Sequence, residues 1–180
     1  MKNTLLLHTC CAPCLIGALP MLIKDFDEIC CFWYGPNIHP YTEYRARLDA
    51  LCAYTKKNSI NLIVRDRYGL LEFTKNVIDN LKERCGYCHR ARLEETAKAA
   101  KEGGFGAFSA TLLVSPWQNH EMIKETGEKC AKEYGTDFFY KDFRPNFREG
   151  QKAAKEAGIY MQKYCGCIFS EEERFLKKPY

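Results

Sequence analysis

The sequence predicts a single α/β domain over residues 1–180: a mainly parallel sheet of about five strands, helices on both faces and a cysteine-bearing C-terminal segment. Three observations lead there. Short apolar or aromatic runs alternate with longer amphipathic stretches along almost the whole chain. Glycine and proline pairs such as Gly35-Pro36 and Gly103-Gly104 punctuate them. The length, 180 residues, suits one domain with its own hydrophobic core.

Thr4–His8 is the first apolar run. A cysteine-rich turn and Pro13 follow, and residues 15–24 are apolar at helical spacing, so strand, loop and helix succeed one another with proline near the first helical turn. Residues 28–34 are a β-compatible run broken at Gly35-Pro36, and 40–57 carries a long amphipathic pattern. Residues 61–65 give a third strand. Helices are expected over 70–81 and 90–101, the second stopped by Gly103-Gly104, which leaves Cys85 to Cys88 between two helices. Residues 105–110 read as a fourth strand, 119–134 as a helix, 137–140 as a fifth strand and 147–157 as a helix. The last stretch reads as an appended helix or arm. Such alternation places a site at the carboxyl ends of the strands, which residues 8–14, 34–39 and 110–118 leave.

A formal charge of +4 is compatible with a polyanionic partner without pointing to one. The chain has no run of about 18 uninterrupted apolar residues, and its N-terminal apolar run is too short for a signal peptide. The expectation is a soluble, cytoplasmic protein with no membrane partner. In a reducing cytosol the 11 cysteines do not form a disulfide framework, and an odd number cannot all pair within one chain. Metal binding or redox chemistry is then the leading reading.

Cys10, Cys11 and Cys14 crowd one loop, and Cys85 and Cys88 form a C-x-x-C pair, so thiolates from two distant segments could meet at one metal centre. Both groups adjoin expected helix N-termini, where unpaired N–H groups and the positive dipole end stabilise thiolates. Spacing alone does not choose between zinc and an iron-sulfur cluster. The adjacency of Cys10 and Cys11 suits separated iron corners better than one small ion, with Cys14 as the competing ligand. Cys165-Gly166-Cys167 is a candidate redox pair, against the plainer reading of two ordinary thiols in a turn. Cys30, Cys31, Cys52 and Cys130 fall within strand and helix patterns and are assigned to packing.

His8, His39, Tyr34 and Tyr87 lie near the expected strand-end site as candidate proton donors, or as members of a hydrogen-bond network. Candidate RNA contacts are Arg45, Arg47, Arg84, Arg90, Arg144 and Arg148, beside Tyr44, Tyr87, Trp117, Phe143 and Phe147. The alternative for the arginines is a solvated helix face with intrahelical ion pairs.

The segments LHTCCAPC (7–14), RCGYCHRARL (84–93), FSATLLVSPWQN (108–119), NFREG (146–150) and YCGCIFS (164–170), in this order, resemble the QueH family over nearly the whole chain. The resemblance implies epoxyqueuosine reductase activity, the last step of tRNA queuosine formation, on tRNA carrying epoxyqueuosine at the wobble position. It implies a 4Fe-4S cluster held by Cys10, Cys11, Cys85 and Cys88, and a redox-active disulfide between Cys165 and Cys167, without cobalamin. A fold resembling the adenine-nucleotide-hydrolase-like, Rossmann-like group is expected. Deoxygenating an epoxide also needs an electron donor, which no pattern identifies, and polarisation of the leaving oxygen, for which an additional iron ion at Cys14 is a candidate. ATP use is not expected, because the first loop has cysteines where a phosphate cradle has glycines and a serine.

Three rival readings stand beside this one. Cys11-Ala12-Pro13-Cys14 has the local form of a thioredoxin-type thiol-disulfide oxidoreductase, which predicts a smaller sheet. A nucleotide-activating tRNA-modifying enzyme shares the expected fold. A zinc-stabilised RNA-binding module shares the cysteines.

Overall fold

Leu5, Leu6 and Leu7 of β1 (Thr4–His8) are all fully buried. Successive side chains on a strand point to opposite faces, so both faces of this sheet are covered. The computed structural model describes residues 3–176, so residues 1–2 and 177–180 of the expected domain lie outside the described residues. Around β1 stand β2 (Glu28–Trp33), β3 (Asn61–Val64), β4 (Ala107–Ala110) and β5 (Asp137–Phe138). The order is β3-β2-β1-β4-β5, and every pairing is parallel. A parallel sheet of five strands does not fit the smaller sheet of the thioredoxin-type reading.

Parallel neighbours need crossovers, and helices supply them. α1 (Ala12–Leu22) and α2 (Tyr41–Lys57) carry the chain outward from β1 through β2 to β3. α3 (Leu70–Val77) and α4 (Arg84–Glu102) return it to β4, and α5 (His120–Tyr134) leads on to β5. Right-handed crossovers wound in opposite directions put α1 and α2 on one face and α4 and α5 on the other. α6 (Phe147–Glu156) packs on α1, α5 packs on α4, and α7 (Ile168–Phe175) ends the described chain. The winding reverses between β1 and β4, which opens a crevice at their carboxyl ends.

Two expected boundaries move by a helical turn or more, and others by three residues or fewer. α3 stops at Val77, and a 3-10 turn at Leu81–Glu83 leads into α4. Cys85 and Cys88 therefore stand in the first two turns of α4 and not between two helices. Gly86 discourages a helical reading there, since glycine costs about 1 kcal/mol against alanine in a helix, but Cys88 and Arg92 are buried and packing holds the turn. Cys30, Cys31 and Cys130 are buried and Cys52 packs against the core, as a packing role requires.

α1 and α6 approach closely because each presents a glycine. A methyl group on Gly150 would lie 2.7 Å from Gly17 Cα, 2.8 Å from Gly17 N and 3.3 Å from the Pro13 carbonyl oxygen. These are backbone atoms on the helix that begins at the cysteine loop, so Gly150 sets the distance between α6 and that loop. Gly150→Ala should destabilise the protein by about 1–3 kcal/mol in urea unfolding. Gly86→Ala, whose methyl would meet only Met122 Sδ at 3.9 Å, should be neutral or stabilising.

Candidate metal centre and its cavity

β1 ends in His8, fully buried, whose Nε2 lies 2.9 Å from the Tyr34 carbonyl oxygen. A carbonyl only accepts, so Nε2 carries the proton. Burial, with the nearby charge of Arg92, lowers the His8 pKa to about 4, so the ring is neutral at pH 7. Two residues on, the Cys10 N–H donates to Thr111 Oγ1 at 3.2 Å, tying the cysteine loop to the residue that follows β4. Cys11 is the N-cap residue of α1 and Cys14 lies in its first turn, where Pro13 needs no hydrogen-bond acceptor. The three sulfurs lie within 4.8 Å of one another.

Hydrogen bonds from Cys11 and Cys14 hold the Cys10 thiol well below its usual range. Burial pushes Cys11 up, and the bond to Cys10 pushes Cys14 up. The pocket thus stabilises one thiolate and resists three, until a cation replaces the two remaining protons. The Gln162 amide N–H donates to Cys11 Sγ at 3.0 Å. Three convergent sulfurs with an amide donor and buried cations around them fit an anionic metal-thiolate centre.

The remaining site cysteines form a second neighbourhood. Among the described residues, Cys10, Cys11 and Cys14 are the only group of three or more such ligand atoms within 4.8 Å, so Cys85 and Cys88 are not drawn into it, and Cys14 is its full member. Cys88 is buried, and burial pushes its pKa up to about 12 against the opposing charge of Arg92. The Arg92 guanidinium donates to Cys88 Sγ and to the Cys88 carbonyl oxygen, each at 3.0 Å. Cys167 shares an apolar cluster with Phe73, Val77 and Cys88, and as the N-cap of α7 its Sγ accepts from the Ser170 N–H at 3.4 Å. Cys85 and Cys165 are exposed. Cys165 Sγ accepts from Gln118 Nε2 at 3.2 Å, and Gln118 Oε1 lies 2.8 Å from His89 Nε2, which fixes the amide orientation. All eleven cysteines are free thiols here, and Cys165 and Cys167 have different surroundings.

A cavity of about 460 Å³ opens over these groups, lined by Cys10, Cys14, Cys165, Arg47, Arg92, Thr111, Trp117, Gln118, Gln162, Lys163, Tyr164 and Arg174 among others. The segment expected as an appended arm forms its wall. Arg47, fully buried, donates to the carbonyl oxygens of Cys165 at 2.9 Å and Tyr164 at 3.0 Å, and pairs with Glu43 at 2.7 Å. Tyr160 donates to the other Glu43 oxygen. The Tyr164 hydroxyl donates to the His39 carbonyl oxygen at 2.5 Å, and the His39 N–H donates to the Gly166 carbonyl oxygen at 2.8 Å. His39 Nδ1 accepts from the Ile168 N–H at 3.3 Å while Nε2 faces the Pro36 carbonyl oxygen at 3.1 Å. Burial lowers its pKa to about 4.

His39 therefore serves as a neutral link between the Pro36 carbonyl oxygen and the Ile168 N–H, while His8 commits its ring proton to the Tyr34 carbonyl oxygen and its buried Nδ1 has no hydrogen-bond partner among the described residues. Burial raises the pKa of Tyr34 and of Tyr87. Both line a narrow crevice beside Cys88, away from the larger cavity.

Most of the candidate RNA-binding arginines are held in ion pairs. Arg45 meets Asp49 at 2.7 Å and Asp66 at 3.3 Å, Arg84 meets Glu173 at 2.6 Å, and Arg144 meets Asp142 at 2.7 Å. Arg90 pairs with Glu94 at 3.0 Å and Glu133 at 2.7 Å. Arg148 is exposed. Arg47, Tyr44 and Phe143 are buried, which removes them from the set, because their helix or loop turns them to the core. Trp117 is 80% exposed at the cavity, its ring edge-on to Phe147 at 5.1 Å. Arg92, Gln118 and Gln162, which touch the sulfurs, and Lys163 and Arg174, which line the cavity, were not singled out by the sequence reading.

A family model described as epoxyqueuosine reductase QueH matches residues 5–173. The chain is 37% identical over 177 residues to the epoxyqueuosine reductase QueH of Dehalococcoides mccartyi, covering 98% of this chain and 97% of that protein. It is 38% identical over 182 residues to that of Thermotoga maritima, covering 96% of this chain and 92% of the relative. Among solved structures, the U34-tRNA thiolase NcsA from Methanococcus maripaludis, with its 4Fe-4S cluster, superposes with a TM-score of 0.57 at 14% identity. That match covers 96% of this chain but 64% of the thiolase, and it shows a shared fold.

Arg47→Met should cost about 3–5 kcal/mol in urea unfolding, since it leaves Glu43 buried without its cation. It should also expose Lys163 to trypsin in the folded protein, as the two carbonyl ties on the segment are lost. Unchanged proteolysis would show that the segment is held by other contacts.

Proposed function

The chain belongs to the epoxyqueuosine reductase QueH family, and on that premise we propose that it reduces epoxyqueuosine in tRNA to queuosine at the cavity over Cys10 and Cys165. The observation that carries the placement is the convergence of three sulfurs, those of buried Cys11 and Cys14 and half-buried Cys10, beneath a cavity with an exposed aromatic ring at the carboxyl ends of a parallel sheet. A cytoplasmic location, where tRNA and reduced thiols coexist, belongs to the same reading. Among the described residues no helix is long and apolar enough to cross a membrane.

The reaction breaks both C–O bonds of the epoxide, forms a C=C bond and releases the oxygen as water, consuming two electrons and two protons. The proposed holders of a 4Fe-4S cluster are Cys10, Cys11, Cys85 and Cys88, with Cys14 as a further thiolate able to take an additional iron ion. A cluster of this kind supplies electrons singly, and an exposed iron polarises an oxygen. Two thiols closing to a disulfide release two electrons and two protons, which matches the demand of the reaction. Cys165 and Cys167 are proposed for that role, Gln118 and the Ser170 N–H holding their sulfurs. An external electron donor must then reopen the disulfide.

Recognition of an unstacked base needs an aromatic face, and Trp117, braced by Phe147, offers one at the cavity. Lys163 and Arg174 line the same opening and supply positive charge for phosphates.

Anaerobically purified protein with a chemical reductant should convert epoxyqueuosine-containing tRNA to queuosine-containing tRNA, followed by mass spectrometry of the digested nucleosides. Trp117→Ala should raise KM for the tRNA about tenfold, from the stacking energy of one base, with little change in kcat. No conversion by wild type would refute the activity. An unchanged KM would remove Trp117 from recognition.

A further inference from the structure

Among the described residues two arginines are buried, and they differ in what surrounds them. Arg47 faces the carboxylate of Glu43. Arg92, 3% exposed and one helical turn after Cys88 on α4, reaches no carboxylate among the described residues. Its hydrogen bonds go to the Cys88 carbonyl oxygen and the Cys88 sulfur, both at 3.0 Å. Its charge also acts on Cys165 and Cys10.

A guanidinium almost withdrawn from water, with only its edge at the cavity wall, is stabilised chiefly by an anion that meets it. The groups that face Arg92 and can carry negative charge are sulfurs, so the fold has invested a fixed positive charge in a thiolate centre. The hydrogen bond to the Cys88 carbonyl oxygen uses Nε and that to the sulfur uses Nη2, which locks the planar guanidinium in one orientation. It cannot turn away as a lysine ammonium could.

We propose that Arg92 is a positioning residue of the metal centre, orienting the Cys88 sulfur as a ligand and, through a charge that no carboxylate compensates, raising the reduction potential of the centre. The proposal rests on the reading of Cys88 as a ligand of an iron-sulfur cluster. A positive charge held beside a redox centre favours the state with the extra electron, so removing the charge makes the centre harder to reduce. Arg84 and Arg90 on the same helix do not substitute for it, because Glu173, Glu94 and Glu133 neutralise them.

The test is a potentiometric titration, followed by electron paramagnetic resonance, of anaerobically reconstituted wild type, Arg92→Gln, Arg92→Met and Arg92→Lys. The two chargeless variants should shift the reduction equilibrium against the electron at least tenfold, about 59 mV for a one-electron couple. Arg92→Lys should fall between them and wild type. A cluster-bearing wild type whose potential and spectrum are unchanged in the variants overturns the proposal alone. A wild type that holds no iron overturns the ligand reading, and the proposal with it. If neither chargeless variant folds, Arg92→Lys decides: a shifted potential supports the role, and a wild-type potential and spectrum overturn it.

Discussion

Three sulfurs and two guanidiniums share a buried space at the carboxyl end of β1, and their charges have to balance out of reach of water. Burial opposes every charge there, so each is held by a specific partner. Cys10 takes the negative charge with the help of its two neighbours. Arg47 is matched by Glu43 and spends its remaining N–H groups on the carbonyl oxygens of Tyr164 and Cys165. Arg92 meets no carboxylate among the described residues and donates to the Cys88 sulfur. Remove Arg47 and the charge balance and the wall are affected together, because the group that carries the charge also holds the chain.

The sheet order explains why this occurs where it does. Loops that leave β1 and β4 diverge to opposite faces, and the gap between them admits Cys10 on one side and Thr111 on the other. Two helix N-termini then deliver cysteines, Cys11 and Cys14 on α1, Cys85 and Cys88 on α4. The Gly17–Gly150 contact keeps α6 close to α1, and the chain that follows returns over the strand ends to close the cavity. Trp117 stays in solvent at the edge, an exposed ring that the core has no use for.

The alternation of strands and helices was legible because each element has a distinct period, and the elements lie where that period places them. The cysteine loop was legible as well, since three thiols in five residues have few structural uses. The start of α4 was not, because Gly86 masks a helix whose first turn is held by packing. Nor were the two buried arginines. Arg45 and Arg47 are two residues apart, as are Arg90 and Arg92, and two residues of helix turn a side chain through about 200°. One of each pair meets acids at the surface, and the other enters the core. The signal was available in the phase of the pattern: Arg47 lies on the face of Tyr44, Leu48 and Leu51, and Arg92 on that of Cys88, Thr96 and Ala99's buried neighbour Ala100. Gln118 and Gln162 gave no such signal, because their role depends on contacts between segments 47 and 151 residues apart.

The central claim is that these sulfurs hold iron and inorganic sulfide, with Cys14 a working member of the group. The most direct measurement is the iron, sulfide and zinc content per chain of the anaerobically purified protein and of Cys14→Ala. Wild type should hold about four sulfide and about five iron per chain, four in the cluster and one at Cys14, with iron but not sulfide lost from the variant. Stoichiometric zinc without sulfide, or a Cys14→Ala protein with the full iron content of wild type, would contradict it.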